Sequence, residues 1–161
     1  NKLNELEKSF GTENISYILS NTDSVSHAIS KSDLVIGSVY VVGKEAPKVI
    51  TKDMLKVMKP GSVLVDISID QGGCVETSRP TTHDDPIFIE DGVVHYCVTN
   101  MPGAVPLTAS LALNQATLPY IEKIADLGLS QALKEDLHLA NGLNMANGIV
   151  KHDSVSAALD N

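Results

Sequence analysis

The chain has 161 residues, of which 43% are hydrophobic and 20% are charged, and its formal net charge is -8. This is the composition of an ordinary globular chain, and it excludes a disordered one. The 12 Lys and Arg residues are outnumbered by 20 Asp and Glu residues, which argues against a nucleic-acid or anionic-membrane partner. A small-molecule partner is therefore the default expectation.

The cysteines and the apolar stretches indicate a cytoplasmic protein. Cys74 and Cys97 form no C-x-x-C pair, and no signal-like apolar run stands at the N-terminus, which fits a reducing compartment. The longest apolar stretch, 104–125, is interrupted by charged and amide residues, so it predicts a buried helix and no membrane span. His83 stands beside two aspartates but lacks further ligands at metal-binding spacing, so we predict no metal.

Short apolar runs alternate along the chain with segments of helical period. The predicted strands are 15–19, 33–39, 62–68 and 93–98. The predicted helices in the first part of the chain are 2–10, 22–31 and 51–58, with Thr22 and Thr51 as plausible N-caps. Strand, helix, strand, helix is typical of an α/β fold, and we predict a Rossmann-like doubly wound parallel sheet.

The C-terminal tail predicts helices and a hairpin. A long helix follows Gly103, a hairpin turns at Asn147-Gly148, and a short helix lies near 154–159. Asn-Gly between apolar residues is a strong signal for a two-residue hairpin turn.

The predicted sheet lacks its usual beginning. No G-x-G-x-x-G motif follows the first strand. The acidic residue that binds the ribose, expected roughly 20 positions after such a motif, is missing as well. If the four strands are the third to sixth of the usual order, the two missing strands lie between 15–19 and the other three. We therefore expect an incomplete sheet, with the first βαβ unit absent and the chain forming the C-terminal part of a longer polypeptide.

Candidate binding residues follow the strands, because ligands bind at the carboxyl ends of parallel strands. After 33–39, Gly43 and Lys44 either approach an anion or belong to a solvated turn. After 62–68, Asp70 precedes two glycines and either meets a ligand or closes an Asx-turn. Asp66 lies inside the apolar run, where a structural hydrogen-bonded role is the better interpretation.

The loop after 93–98 leads into the long helix. Asn100 can cap that helix or contact a ligand, and Pro102-Gly103 turn the backbone. The helix directs its N-terminal dipole and free N–H groups towards the same edge of the sheet. By itself this loop is also compatible with an ordinary turn into a helix.

Four segments together resemble the C-terminal part of alanine dehydrogenase. They are DLVIGSVYVVGKEAPKVIT at 33–51, MKPGSVLVDISIDQGGCVETSRPTTHDDP at 58–86, GVVHYCVTNMPGAVPLTASLALNQATLPY at 92–120 and GLNMANGIV at 142–150. The nucleotide-binding subunit of proton-translocating transhydrogenase shares part of this pattern, but IDQGG and NMPGAVP are nearer to the dehydrogenase form. A transhydrogenase subunit and a non-catalytic nucleotide-binding module remain the alternatives.

The resemblance implies NAD-dependent, reversible oxidative deamination of L-alanine to pyruvate and ammonia, by a cytoplasmic enzyme that is usually a homohexamer. It implies that Asp70 is the catalytic aspartate beside nicotinamide and substrate. The residues it places on the adenosine side of NAD are Gly37, Ser38 and Val39. The residues it places around the nicotinamide are Ile67, Asp70, Val98, Asn100 and Met101.

The resemblance also implies that part of the catalytic machinery lies elsewhere. The family's substrate-binding arginine and lysine and its histidine belong to an N-terminal substrate domain and have no counterpart here. We expect 1–102 to be the C-terminal portion of the NAD-binding domain, and 103–161 to be a connecting helix and terminal segment that pack on the substrate domain. The 161-residue chain alone is therefore predicted to be inactive.

Three positions qualify this picture. The only arginine, Arg79, lies several residues past Asp70 and is not expected to anchor the substrate. Leu107 stands where the family is expected to have an arginine. This puts in doubt any contact with another subunit or with the substrate domain at that position. Cys74 stands where an aliphatic residue is more usual, and we interpret it as a small substitution in the core.

Overall fold

A computed structural model of the chain describes residues 2–159. The chain divides into two compact units, which are described separately. The first unit comprises 1–39 and 47–99, and the second comprises 40–46 and 100–161.

The first unit contains two helices and a four-stranded sheet. The helices are α1 (Lys2–Phe10) and α2 (Thr22–Lys31), and the strands are β1 (Leu34–Gly37), β2 (Val63–Asp66), β3 (Ile87–Glu90) and β4 (Val93–Tyr96). The strand order is β1-β2-β4-β3. Strands β1, β2 and β4 are parallel, whereas β3 is antiparallel to β4. The α/β prediction with a parallel sheet is confirmed.

Strand β3 was not among the predicted strands. It joins β4 through Asp91 and Gly92, whose φ angles are 48° and 79°. Asp-Gly with two positive φ angles matches a type I′ hairpin turn, whose twist suits adjacent strands. The antiparallel edge strand therefore follows from a local turn signal.

Two predicted elements are wrong in type. Residues 15–19 form no strand, and Ile18 and Leu19 in this run are 53% and 73% exposed. A strand needs a neighbour for its backbone groups, and none of the residues 2–159 pairs with this run in a sheet. The segment 51–58 forms only the 3₁₀ turn Asp53–Val57.

The predicted N-cap of α2 is also wrong by one residue. Asn21 caps the helix, since its side chain accepts a hydrogen bond from the Ser24 N–H at 2.8 Å. The Ser24 hydroxyl in turn accepts a hydrogen bond from the Asn21 N–H at 3.0 Å. This reciprocal capping box satisfies two donors at the start of the helix, so it outcompetes Thr22.

The core of the first unit lies around β2 and β4. Its completely or almost completely buried aliphatic side chains are Leu55, Leu64, Val75, Val93 and Val98. Strand β1 lies at one edge of the sheet, and its Leu34 and Ile36 are 55% and 57% exposed. Apolar burial is therefore concentrated at the centre of the sheet, away from the β1 edge.

The second unit is mostly helical. Its elements are α3 (Pro106–Leu127), α4 (Leu129–Glu135), α5 (Leu137–Asn141), β5 (Met145–Ala146), β6 (Ile149–Val150) and α6 (Asp153–Leu159). The predicted long helix and short terminal helix are confirmed, and β5 and β6 form the predicted hairpin across Asn147-Gly148. Within 2–159, no helix is both long and apolar enough to cross a membrane.

Candidate functional site at the end of strand β2

Asp66 is a completely buried carboxylate that organises the loop after β2. It accepts hydrogen bonds from the backbone N–H groups of Ser68, Cys74 and Val75 at 3.0, 2.9 and 3.2 Å. The Ser78 hydroxyl donates a fourth hydrogen bond at 2.6 Å. A buried carboxylate needs this many donors to offset its desolvation. The predicted structural role of Asp66 is confirmed.

Asp70 lies on a 3₁₀ turn that Asp66 begins. The turn spans Ile67–Gln71, with the Asp66 side chain as its N-cap. Because side chains three residues apart eclipse in a 3₁₀ helix, Ile67 and Asp70 share one face. Both are exposed, whereas Ser68 and Ile69 between them are buried. The turn therefore presents one apolar and one acidic side chain together at the carboxyl end of β2.

Two glycines allow the backbone around Asp66 to pack closely. A Cβ atom on Gly37 would lie 2.5 Å from Cys74 Sγ. A Cβ atom on Gly73 would lie 2.8 Å from Asp66 Oδ2, and the φ angle of Gly73 is +76°. A side chain at position 73 would push against the Asp66 carboxylate on a left-handed backbone, so this position requires glycine. A side chain at position 37 would press on the Cys74 thiol.

Lys48 supports the same loop from outside. Its Nζ donates to the carbonyl oxygen of Gly73 at 2.8 Å and also to that of Gly72. The 3₁₀ turn has its free carbonyl groups at this end, so a cation stabilises it there. Sequence reasoning missed Lys48, because no local pattern shows that it reaches residues more than twenty positions away.

A cavity of about 310 Å³ lies beside β1 in the first unit. Its lining includes Val25, Ala28 and Ile29 of α2, the predicted adenosine residues Gly37, Ser38 and Val39, and Val49, Ile50 and Cys74. This apolar lining with accessible backbone suits a flat heteroaromatic ring. The three predicted adenosine residues therefore lie together on one concave surface.

Burial makes Cys74 a packing residue. Desolvation, and then the nearby Asp66 charge, raise the pKa of the Cys74 thiol. Burial likewise raises the pKa of Cys97. Both thiols stay protonated at neutral pH, so neither is an activated nucleophile.

The remaining predicted residues are in different surroundings. Val98 is fully buried in the first unit and pairs with Thr81 through a parallel bridge. In the second unit, Asn100 is exposed, has φ and ψ angles of 50° and 54°, and makes no side-chain cap to the 3₁₀ turn Met101–Ala104. Met101 is half-buried.

A second cavity, of about 520 Å³, lies within the second unit. Asn100 lines it with Pro102, Gly103, Pro106, Ala109, Ser110 and Leu113. The start of α3 thus lines a concave surface. A ligand in this cavity would lie near the free N–H groups of the helix N-terminus. Leu107 is 75% exposed on the first turn of α3.

Residues 40–46, a later part of the loop after β1, belong to the second unit. Gly43 has a φ angle of +69°, and a Cβ atom there would lie 3.0 Å from the Ser154 side chain. Lys44 lines a cavity of about 500 Å³ with Glu45 and Ser154.

Arg79 and His95 have structural partners. The Arg79 guanidinium lies 4.1 Å from the centroid of the Phe88 ring, as in a cation–π contact. His95 is fully buried, with Nδ1 3.0 Å from the Val93 carbonyl oxygen and Nε2 2.9 Å from the Thr77 hydroxyl. Among residues 2–159, no group of three or more His, Cys, Asp or Glu side chains could hold a metal ion.

Comparison with known proteins decides the family. The family described as alanine dehydrogenase/PNT, C-terminal domain, matches residues 1–153. The chain belongs to this family. The resemblance carried by the four sequence segments is therefore confirmed.

Curated relatives of the alanine dehydrogenase/PNT family carry the dehydrogenase name. Alanine dehydrogenase of Halomonas elongata is 55% identical over 141 residues, which are 88% of this chain and 38% of the relative. Alanine dehydrogenase of Staphylococcus haemolyticus is 49% identical over 158 residues, which are 98% of this chain and 42% of the relative. The chain thus spans about two fifths of the length of these relatives.

Solved structures agree on the fold. An L-alanine dehydrogenase superposes with a TM-score of 0.80 at 45% identity, covering 99% of this chain and 44% of that one. A transhydrogenase from Sinorhizobium meliloti superposes with a TM-score of 0.68 at 24% identity, covering 93% of this chain and 40% of that one. The second likeness supports the Rossmann-like fold alone.

Proposed function

We propose that this chain is the C-terminal part of an alanine dehydrogenase, which catalyses the reversible NAD-dependent oxidative deamination of L-alanine to pyruvate and ammonia. The observation that carries the proposal is the exposed face of Ile67 and Asp70, which the buried Asp66 network holds at the end of β2. The dehydrogenases that are 49% and 55% identical to the chain support it further.

The first unit has surfaces that fit NAD. The cavity beside Gly37, Ser38 and Val39 suits the adenosine end. The apolar Ile67 side chain next to the Asp70 carboxylate suits the nicotinamide end, and we assign Val98, Asn100 and Met101 to the same pocket from the resemblance. When bound, NAD supplies the acceptor for the hydride that leaves the substrate α-carbon.

We assign the catalytic carboxylate to Asp70. Oxidation of the amine carbon places positive charge on its nitrogen, and a carboxylate held beside that nitrogen stabilises this charge. Because its turn is held from the buried side, Asp70 needs little reorganisation as the charge develops. Asp66 cannot take this role, since its buried oxygens already accept hydrogen bonds from three backbone N–H groups and the Ser78 hydroxyl.

The substrate carboxylate needs a separate cationic anchor, ideally a bidentate arginine. Arg79 lies over Phe88, so we assign that anchor, and the proton-transferring histidine, to a substrate domain outside this chain. The isolated 161-residue chain is accordingly proposed to be inactive.

We also propose how this chain joins the rest of the enzyme. Residues 1–102 form the C-terminal portion of the NAD-binding domain, and 103–161 pack on the substrate domain. The exposed leucines of α3 and the exposed apolar edge of β1 support this assignment, since such surfaces become stable when covered. The family resemblance further supports a cytoplasmic homohexamer that functions in L-alanine catabolism.

The test compares the full-length polypeptide encoded by the gene with the 161-residue chain. NADH absorbance is followed with L-alanine, D-alanine or no amino acid, and with NAD or NADP. We expect the full-length protein to form NADH with L-alanine and NAD, and the short chain to form none. Absence of L-alanine-dependent NADH from the folded full-length protein would overturn the proposal.

A further inference from the structure

Ser68 joins the two loops that the proposed function assigns to opposite ends of NAD. It is 5% exposed and lies on the buried side of the turn that carries Asp70. Its hydroxyl accepts a hydrogen bond from the Val39 N–H at 2.7 Å and donates one to the Val39 carbonyl oxygen at 2.9 Å. A hydroxyl has one donor and two lone pairs, so it can make both bonds at once.

These two bonds continue the β1–β2 ladder beyond its last residues. Gly37 is paired with Asp66 in the parallel register, and Val39 and Ser68 each stand two residues further along. The backbone of Ser68 has already entered the 3₁₀ turn, where its N–H is bonded to Asp66. The side chain therefore replaces the backbone as the partner of Val39.

Ser68 also reaches the other side of its own loop. Its carbonyl oxygen accepts a hydrogen bond from the Gly73 N–H at 2.9 Å. One residue thus connects the Gly37–Val39 loop, the Asp66 carboxylate and the double glycine. Any shift of Ser68 changes the separation between the adenosine surface and the exposed face of Ile67 and Asp70.

We propose that Ser68 is a positioning residue that sets the spacing between the Gly37–Val39 loop and Asp70, and so aligns the two ends of the bound dinucleotide. This inference rests on the proposed function. When NAD is bound at both ends, the spacing of the two loops sets the position of its nicotinamide ring. Hydride transfer is sensitive to small errors in that position.

The chain offers a matched control in Ser62. This serine is also buried, at 4% exposure, and directly precedes β2. Its hydroxyl has no hydrogen-bond partner among the described residues. Ser62→Ala therefore removes a buried hydroxyl at the other end of β2 without breaking a link between loops.

The experiment uses the full-length protein as wild type, Ser68→Ala, Ser68→Thr and Ser62→Ala. It measures thermal stability, kcat, KM for NAD and the isotope effect on kcat with 2-deuterated L-alanine. We expect Ser68→Ala to lower kcat and to raise KM for NAD by about tenfold each, with a larger isotope effect because hydride transfer becomes slower. Ser68→Thr keeps the hydroxyl and recovers most of both, and Ser62→Ala stays within about twofold of wild type.

A merely structural role would reduce the folded fraction, lowering the apparent kcat while KM and the isotope effect stay unchanged. That result, or a Ser68→Ala enzyme that behaves like Ser62→Ala, overturns the inference alone. A wild type without L-alanine-dependent NADH overturns the proposed function and this inference with it. If Ser68→Ala does not fold, Ser68→Cys replaces it, because a thiol of similar size is a weaker hydrogen-bond donor, and wild-type kinetics in this variant overturns the inference.

Discussion

The loop at 67–74 makes its polar contacts inside its own unit, whereas helix α3 leaves most of its leucines exposed. Asp66, Ser68 and Lys48 hold the loop through hydrogen bonds to its backbone. Helix α3 has 22 residues and no buried one, and its Leu113 is 66% exposed. The difference shows that hydrogen bonds within this chain stabilise the surface proposed for chemistry. Helix α3, in contrast, gains little stability from burial against the rest of the chain.

The largest expected effect comes from removing Asp66, the centre of the loop's hydrogen-bond network. Asp66→Ala is expected to lower the free energy of unfolding by roughly 4 kcal/mol, because three buried N–H groups and one hydroxyl lose their acceptor. Urea unfolding of the wild type and the variant measures the difference. The control is the exposed Asp70 on the same turn, where Asp70→Ala should cost less than about 0.5 kcal/mol. Equal costs at the two positions would contradict the structural role of Asp66.

A second pair of variants compares the core with α3 directly. Leu64 is 0% exposed and Leu113 is 66% exposed. In the 161-residue chain, Leu64→Ala should cost about 3 kcal/mol of unfolding free energy, since it leaves a cavity. Leu113→Ala should cost less than about 0.5 kcal/mol. A large loss of unfolding free energy in Leu113→Ala would mean that Leu113 is buried in the 161-residue chain, contrary to its exposure in the structure.

Lys48 offers a smaller test of the loop. Lys48→Met removes the ammonium group bonded to two loop carbonyl groups and should cost about 1 kcal/mol of unfolding free energy. Lys56→Met is the control, because it removes a lysine whose ion pair with Asp53 is largely exposed. Exposed pairs of this kind contribute little to stability because solvent screens them, so the loss from Lys56→Met should be clearly smaller than the loss from Lys48→Met. If both variants lose the same amount, Lys48 adds nothing beyond a surface charge.

The smallest expected effect concerns an ion pair in the second unit. The hydrogen bond from Lys123 holds the pKa of Asp136 below its usual 3.8, with the backbone N–H of Leu139 contributing next. A folded-state pKa that is lowered adds stability above the unfolded pKa, and this stability is lost as the pH falls through the folded value. The unfolding free energy of the wild type minus that of Asp136→Asn should therefore be constant above about pH 5 and shrink as the pH falls below it. A difference that grows towards acid pH would have the wrong sign.

Local signals account for what the sequence predicted. Asn147-Gly148 predicted its hairpin because the turn depends on two adjacent residues. Asp66 and Asp70 were assigned different roles because one lies within an apolar run and the other follows it. Asp91-Gly92 carried the same kind of turn signal for the unpredicted strand β3, so that element could have been found.

The remaining features depend on distant residues. The bonds between Ser68 and Val39 join positions 29 residues apart, and they follow from strand register, which the sequence alone does not show. The run 15–19 has the composition of a strand but finds no sheet partner among the described residues. Tertiary pairing therefore decided both outcomes.

The most direct test of this division between a supporting and a reacting carboxylate is Asp70→Asn in the full-length protein. Melting temperature, NAD dissociation constant and L-alanine-dependent NADH formation are measured side by side with wild type. We predict wild-type stability and nearly unchanged NAD binding, with turnover reduced by about 100-fold or more, because the substituted amide carries no charge. Retention of more than about a tenth of wild-type turnover would contradict the assignment of Asp70 as the catalytic residue.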